Sequence, residues 1–296
     1  MQRSKQSKHD PGVMEWSVGT RQMDPGNLEV SVVTVVFNGA AYVAETIESV
    51  LAQEGVACEY WVIDGGSTDG TLDIIRGFEA RLTGWISEPD RGIADAFNKG
   101  LERAHGDYIM FLNADDALAH PHALEQLLSL ARKHDWPDVV YGDCDLYDPT
   151  SGELLYRVII DYERERFINA GNLPHPGMLM HRRYFERFGT FDTSYKVAMD
   201  YELLLRGVPA LGALHASMLV TRVRANGISA RSRDLVVEET IRALAANGYL
   251  SRFKKARLRA SYALRGAARW MLEQTGLYSY FDAARRRRRA GLTSDV

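Results

Sequence analysis

Between Val30 and Asp116 short apolar runs alternate with helical patterns, and each run stops on a polar turn. Val30 to Val36 is β-branched and ends at Phe37-Asn38-Gly39. Ala41 to Gln53 then carries Tyr42, Thr46, Ile47, Val50 and Leu51 at helical spacing. Glu59 to Ile63 ends on Asp64-Gly65-Gly66-Ser67-Thr68-Asp69-Gly70, and a helix is expected over Thr71 to Ala80. Gly84 to Ser87 is a short third strand, followed by a helix from Ile93 to Ala104 closed by His105-Gly106. Tyr108 to Leu112 has the pattern of a strand buried on both faces and stops on Asn113-Ala114-Asp115-Asp116. Parallel strands joined by helices have few arrangements, and this order argues for an α/β sheet with helices on both faces. The carboxyl ends of such strands lie along one edge, where open α/β sheets bind ligands. Phe37-Asn38, Asp64 to Asp69 and Asn113 to Asp116 are therefore expected to face one ligand.

The chemistry of those turns narrows the ligand. Two adjacent carboxylates repel each other unless a cation sits between them, and hard ions such as Mg²⁺ or Mn²⁺ take oxygen ligands shared with substrate phosphates. A solvated loop with a helix cap is the plain alternative for Asp115 and Asp116, and a turn aspartate for Asp64. A glycine-rich turn leading into a helix suits the close approach of a diphosphate. The GxGxxG fingerprint and the GxxxxGK[ST] loop are both absent, which argues against NAD and ATP sites.

After Asp116 the pattern changes. Pro121 to Lys133 reads as a helix, and Asp138 to Leu146 with Glu153 to Ile160 as paired strands around Asp148 to Gly152. Met178 to His181 is strand-like and a helix begins at Arg183. The sheet is thus expected to be mixed, parallel in its first half. Ala198 to Arg206 opens another helix with Asp200 and Glu202 near its start, where the helix dipole stabilises carboxylates. At that spacing the two point to different sides, so one can face a pocket while the other makes a structural contact.

Composition bounds the rest. The chain has 296 residues and a net charge of -3, which does not suit a general nucleic-acid binder. Only Cys58 and Cys144 are present, without metal-ligand spacing, so a reducing cytoplasm fits. No apolar run is long enough to span a bilayer, and the N-terminal Lys and Arg residues precede no apolar stretch of a secretory signal. Residues 1–27 are polar, carry two Pro-Gly pairs and read as a disordered lead. From about Ser232 the chain reads as helical again. Phe253, Ala256, Ala260, Ala263, Leu264, Ala267, Trp270 and Met271 recur at helical spacing among basic residues, and Arg285 to Arg289 form a basic run. This segment either packs on the preceding domain with a solvated basic tail or contacts an anionic membrane surface.

The chain resembles family 2 glycosyltransferases of the GT-A fold, most of all the bacterial branch that builds capsule, O-antigen and other exopolysaccharide units. The resemblance runs from about Val30 to Ser229, through SVVTVVFNGAAYVAETIESVLAQ, VIDGGSTDGT, SEPDRGIADAFNKGLERAHGDYIMFLNADD and PHPGMLMHRRYFERFGTFDTSYKVAMDYELLLR. It implies a GT-A domain over 28–230, with 231–296 as a helical basic extension outside the catalytic core. By resemblance Asp64 contacts the base or ribose of a nucleoside diphosphate sugar, and Phe37 and Asn38 line that pocket. Asp115 and Asp116 form a DxD-type metal site for Mn²⁺ or Mg²⁺, with Asp116 on the ion and Asp115 on ribose or metal-bound water. Asp200 falls at the general base. Many relatives carry a second Asp where Gly65 stands, which leaves the base contact to Asp64 or Asp69. His175 matches a position on the acceptor side, although a His between two prolines also suits a packed turn. Glu202 is an acceptor-side candidate, and Arg222 or Arg224 a candidate contact for the diphosphate.

The implied reaction is an inverting, metal-dependent transfer of one sugar, from a UDP-sugar or a GDP-sugar, to a glycan or polyprenyl-diphosphate-linked saccharide. The QxxRW motif of processive synthases is absent. The implied setting is the cytoplasm, with peripheral attachment to the inner face of the membrane. A sugar-nucleotide pyrophosphorylase is the alternative enzyme, yet FNGAAY stands where its GGxGxRL-type loop belongs. A non-catalytic binding module of the same fold would typically lose Asp116 or Asp200, and both are present.

Overall fold

A computed structural model describes residues 15–18, 29–169, 173–225, 227, 232–251, 256 and 260. Its centre is a run of parallel strands: β2 (Val30–Val36), β3 (Cys58–Asp64), β4 (Gly84–Ser87) and β5 (Tyr108–Asn113). Every residue of β2, β3 and β4 is buried, which explains why these segments read as continuous apolar or β-branched runs rather than alternating ones. The sheet continues through β9 (Met178–His181), β7 (Val139–Tyr147), β10 (Ala213–Arg224) and β6 (Ala117–Leu118), and β8 (Leu154–Val158) pairs with β7. β5–β9, β9–β7, β10–β6 and β7–β8 are antiparallel, while β7–β10 is parallel. The mixed α/β sheet, parallel first, is the architecture expected.

Helices cover both faces. On one side α1 (Val43–Leu51), α2 (Thr71–Phe78) and α4 (Ala123–Lys133) set Ile47, Ile75, Leu124 and Leu127 against Val32, Val62 and Met110. On the other, α3 (Ile93–Leu101), α6 (Arg182–Phe188) and α7 (Met199–Gly207) set Phe97, Phe185 and Leu203 against Val33, Ile63 and Phe111. A short helix, α5 (Arg164–Ile168), adds Phe167 to this second core.

Three features depart from the sequence reading. Glu15–Val18 forms a strand, β1, antiparallel to β4, inside the segment expected to be disordered. Its backbone pairs the outer edge of β4, a row of N–H and C=O groups that local sequence patterning does not reveal. Residues 1–14 and 19–28 lie outside the described residues. β10 is long, yet the sequence reading assigns it no strand. Its half-exposed residues and two register shifts against β7 remove clean alternation. Finally, α8 (Arg233–Ala246) belongs to the fold's interior, because Ala243 and Leu244 are fully buried in the same core as α7. The core therefore continues past residue 230. The amphipathic pattern from Phe253 to Met271 and the basic run from Arg285 lie outside the described residues, apart from the backbone at Ala256 and Ala260.

Candidate functional site

The register of the parallel strands brings their last residues level. Val36 pairs with Asp64, Asp64 with Ser87, and Val35 with Asn113, so the polar turns that follow share one edge. Asp64 is fully buried there. One of its oxygens accepts from the Ser67 hydroxyl at 2.5 Å, and the other from Ser87 Oγ at 2.6 Å and the Gly66 and Ser67 N–H groups at 3.2 and 3.1 Å. Both oxygens are thus engaged by the loop and by Ser87 at the end of β4, and Asp64 buttresses the turn. Gly66 sits at φ +84 against the backbone of Pro89, a conformation that favours glycine.

The first loop is tied to this turn. Asn38, at φ 51, donates its N–H to Ser67 Oγ at 2.7 Å and accepts the Thr68 N–H on Oδ1 at 2.9 Å. Asp69 accepts from Ala40 N–H at 3.0 Å and from the Thr71 hydroxyl at 2.5 Å. Burial pushes the Asp69 pKa up, but these hydrogen bonds outweigh it and hold the carboxyl below its ordinary value. The outward groups are others. Phe37 is 65% exposed, with its ring edge beside Gly65. Asp90 Oδ2 fills the space that a side chain at Gly65 would take, while Asp90 Oδ1 accepts the Gly92 N–H at 2.8 Å. Burial holds the Asp90 pKa up. Asp90 lies within the SEPDRG segment, and the sequence does not show that it sits beside Gly65.

The acid pair lies at the end of β5. Thr46, buried in α1, donates its hydroxyl to the carbonyls of Ala114 at 2.9 Å and Asp116 at 2.6 Å, which pins the turn to the helix. Asp115 is half-buried and Asp116 only 2% exposed. The Asn113 amide donates to Asp116 Oδ2 at 3.2 Å. Burial first, and Asp115 second, push the Asp116 pKa well above the ordinary carboxylate value. Arg224 opposes this: its guanidinium donates to the Asp115 carbonyl at 2.9 Å, pairs with Glu45 and stacks 4.4 Å from the Tyr42 ring centroid. Arg222 stands 4.0 Å from Glu45 on the same strand. Both arginines named on the sequence thus reach the neighbourhood of the acid pair.

The second carboxylate site is built from the other core. Pro174 leads into the turn His175–Gly177, which delivers β9 beside β5. His175 packs on Phe97 and Phe111, with ring centroids 5.3 and 6.2 Å away. Burial lowers its pKa, while the nearby Asp200 carboxylate acts the other way. The structure therefore brings together His175 and Asp200, which are far apart in sequence. Asp200 is half-buried in the first turn of α7 and accepts the Tyr201 N–H at 2.7 Å. Glu202 is buried and does not join them. Arg206 grips its carboxylate through Nε at 3.0 and 3.1 Å and also holds the carbonyls of Phe188 and Thr190. Glu202, expected on the acceptor side, is held as an internal strut by Arg206.

With this geometry in place, the comparisons decide the family. Residues 31–189 match the sequence model of glycosyl transferase family 2, more than half of the chain. The chain belongs to that family. A mycobacterial PGL/p-HBAD biosynthesis glycosyltransferase (Mycobacterium tuberculosis H37Ra) is 27% identical over 219 residues, covering 72% of this chain and 83% of the relative. An uncharacterized glycosyltransferase of Rickettsia typhi is 33% identical over 183 residues, covering 59% and 57%. Among solved structures, Staphylococcus aureus TarS 1-349 in complex with UDP-GlcNAc superposes with a TM-score of 0.61 at 18% identity, covering 78% of this chain and 69% of that one. The mannosyltransferase PcManGT of Pyrobaculum calidifontis, in complex with GDP-Man and Mn²⁺, gives 0.56 at 19% identity over 95% and 80%. The protein is a family 2 glycosyltransferase with the GT-A fold. This sets aside the pyrophosphorylase and the non-catalytic module.

Proposed function

We propose that this glycosyltransferase moves one sugar from a nucleoside diphosphate sugar to an acceptor hydroxyl, with inversion at the anomeric carbon. The observation that carries the reading is the shared edge. The turn after β5 bears Asp115 and Asp116, and the His175 turn beside the same strand leads to Asp200. The solved neighbours were captured with UDP-GlcNAc and with GDP-Man plus Mn²⁺, which favours a nucleotide sugar donor here. Phe37 offers an exposed ring to a base, and Asn38 and Asp69 hold the loop that carries it.

The acid pair fits a divalent cation. Its donors are oxygens, it lies at a sheet edge, and Asp116 is a buried carboxylate whose ionised form has too little compensation without added positive charge. When bound, such an ion would neutralise charge growing on the departing diphosphate. Asp115 and Asp116 would hold it, with Asp115 presenting the more accessible carboxylate. Arg224 and Arg222 supply fixed positive charge next to them, suited to the same phosphates. Asp200 takes the proton from the acceptor hydroxyl as it attacks. His175, kept neutral by burial, lines the acceptor side. Direct displacement needs no covalent nucleophile, which is why inversion follows.

The acceptor we propose is a glycan or lipid-linked saccharide of cell-surface polysaccharide synthesis. Incubation with a panel of UDP- and GDP-sugars, Mn²⁺ and candidate acceptors, read as released nucleoside diphosphate, tests the reading. Release with one donor class supports it, and none with any pairing, from protein that binds no nucleotide, refutes it.

A further inference from the structure

We infer that Glu239, on α8, is a positioning residue that fixes the start of α7 and hence the carboxylate of Asp200. The inference rests on the reading of Asp200 as the base. Ala198 stands at the N-cap of α7 and has no side-chain oxygen to cap it, and within the first turn Asp200 accepts the Tyr201 N–H. Glu239, from a different helix, holds the N-cap N–H and the two N–H groups that precede it. Its carboxylate accepts the N–H of Lys196 at 2.8 Å, of Val197 at 2.9 Å and of Ala198 at 3.0 Å. Three successive N–H groups thus converge on one buried carboxylate, 4% exposed, at the positive end of the helix dipole. Such charge-assisted bonds are the strong ones, and burial makes their loss costly.

The same helix holds the preceding residues. Arg242 donates to the Ser194 carbonyl at 2.9 Å and lies 3.7 Å from the Tyr195 ring centroid. Asp200 is the second residue of α7, only two positions beyond the last N–H that Glu239 holds. A shift of the loop at 196–198 therefore moves Asp200 with it. A base works only within hydrogen-bond reach of the proton it removes, so a small displacement lowers turnover without touching the distant donor loops. Through Glu239, α8 bears on the position of the base.

The test measures kcat, donor KM, nucleotide affinity and thermal midpoint for Glu239→Gln, Glu239→Asp, Asn247→Ala and Asp200→Asn. Asn247 lies at the far end of α8 and reaches Glu202 at 3.4 Å, away from the loop. Glu239→Gln is expected to lose on the order of tenfold or more in kcat, with donor KM and nucleotide affinity unchanged. Glu239→Asp should be intermediate, and Asn247→Ala should lower the midpoint while keeping kcat. If Glu239→Gln does not fold, Glu239→Asp carries the same comparison. Wild-type kcat in the folded Glu239 variants overturns the inference, as does an equal kcat loss in Asn247→Ala, which would make it a general stability effect. Full activity in Asp200→Asn instead defeats the reading of the base.

Discussion

At the scale of single residues, the acid pair makes the sharpest claim. Burial and Asp115 raise the Asp116 pKa, so the fold favours its protonated form. For a group raised in this way, the stabilising contribution is present below the unfolded carboxylate pKa and is lost as pH rises through the folded value. Above that value Asp116 is ionised and in need of a cation. Mn²⁺ should therefore raise the thermal midpoint at neutral pH, and the increment should shrink as the pH falls through the raised value. Asp116→Ala should abolish the increment and the metal dependence of nucleotide binding. An equal midpoint shift in the variant would show that the ion binds elsewhere. Cys144, by contrast, is a poor candidate for chemistry, since burial holds its thiol at about 12.

At the scale of elements, the site depends on contacts between loops and helices that packing alone does not supply. Thr46 satisfies two buried carbonyls of the acid turn from α1. Thr46→Val keeps the shape and leaves those acceptors unpaired, at a cost of about 1–3 kcal/mol. Denaturant unfolding should read that loss, and nucleotide affinity should fall with it. Leu244, fully buried on α8, is the parallel case. Leu244→Ala should cost about 2–5 kcal/mol if the helix is integral to the core, and under 1 kcal/mol if it is an appendage.

These elements also mark what a reader of the sequence can recover. Strands β2, β4 and β9 fall on the expected residues, and β3 and β5 within one residue of them at either end, because short buried strands announce themselves as unbroken apolar runs. The alignment of their polar ends follows from parallel pairing alone. What stayed hidden depends on distant partners. β1 exists through pairing with β4, and β10 through β7 and β6. Glu239 reads as an ordinary helical glutamate until the loop at 196–198 is beside it. Asp64 shows the limit at a single position: the sequence singles out the aspartate but not that both its oxygens are engaged by the turn and by Ser87.

For the whole molecule, one sheet edge joins two cores. The α1, α2 and α4 side anchors the first loop and the acid turn, while the α3, α6, α7 and α8 side carries His175 and Asp200. Donor binding and proton removal are thus expected to be separable by mutation. The described residues contain no helix long and apolar enough to cross a membrane. The basic C-terminal sequence motivates a different attachment, salt-sensitive binding to anionic lipid. Liposomes rich in anionic lipid should sediment the full chain at low salt, and release it at high salt. A chain ending at Leu250 should stay in solution, and its undiminished sedimentation would locate lipid binding elsewhere.

The division of labour along the edge is the central claim, and Asp200→Asn tests it most directly. Donor nucleotide affinity by calorimetry and sugar transfer should be measured on the same preparation, with Mn²⁺ present. The expected result is nucleotide affinity within about twofold of wild type together with loss of transfer by a factor on the order of a thousand. Undiminished transfer by the folded variant would contradict the account.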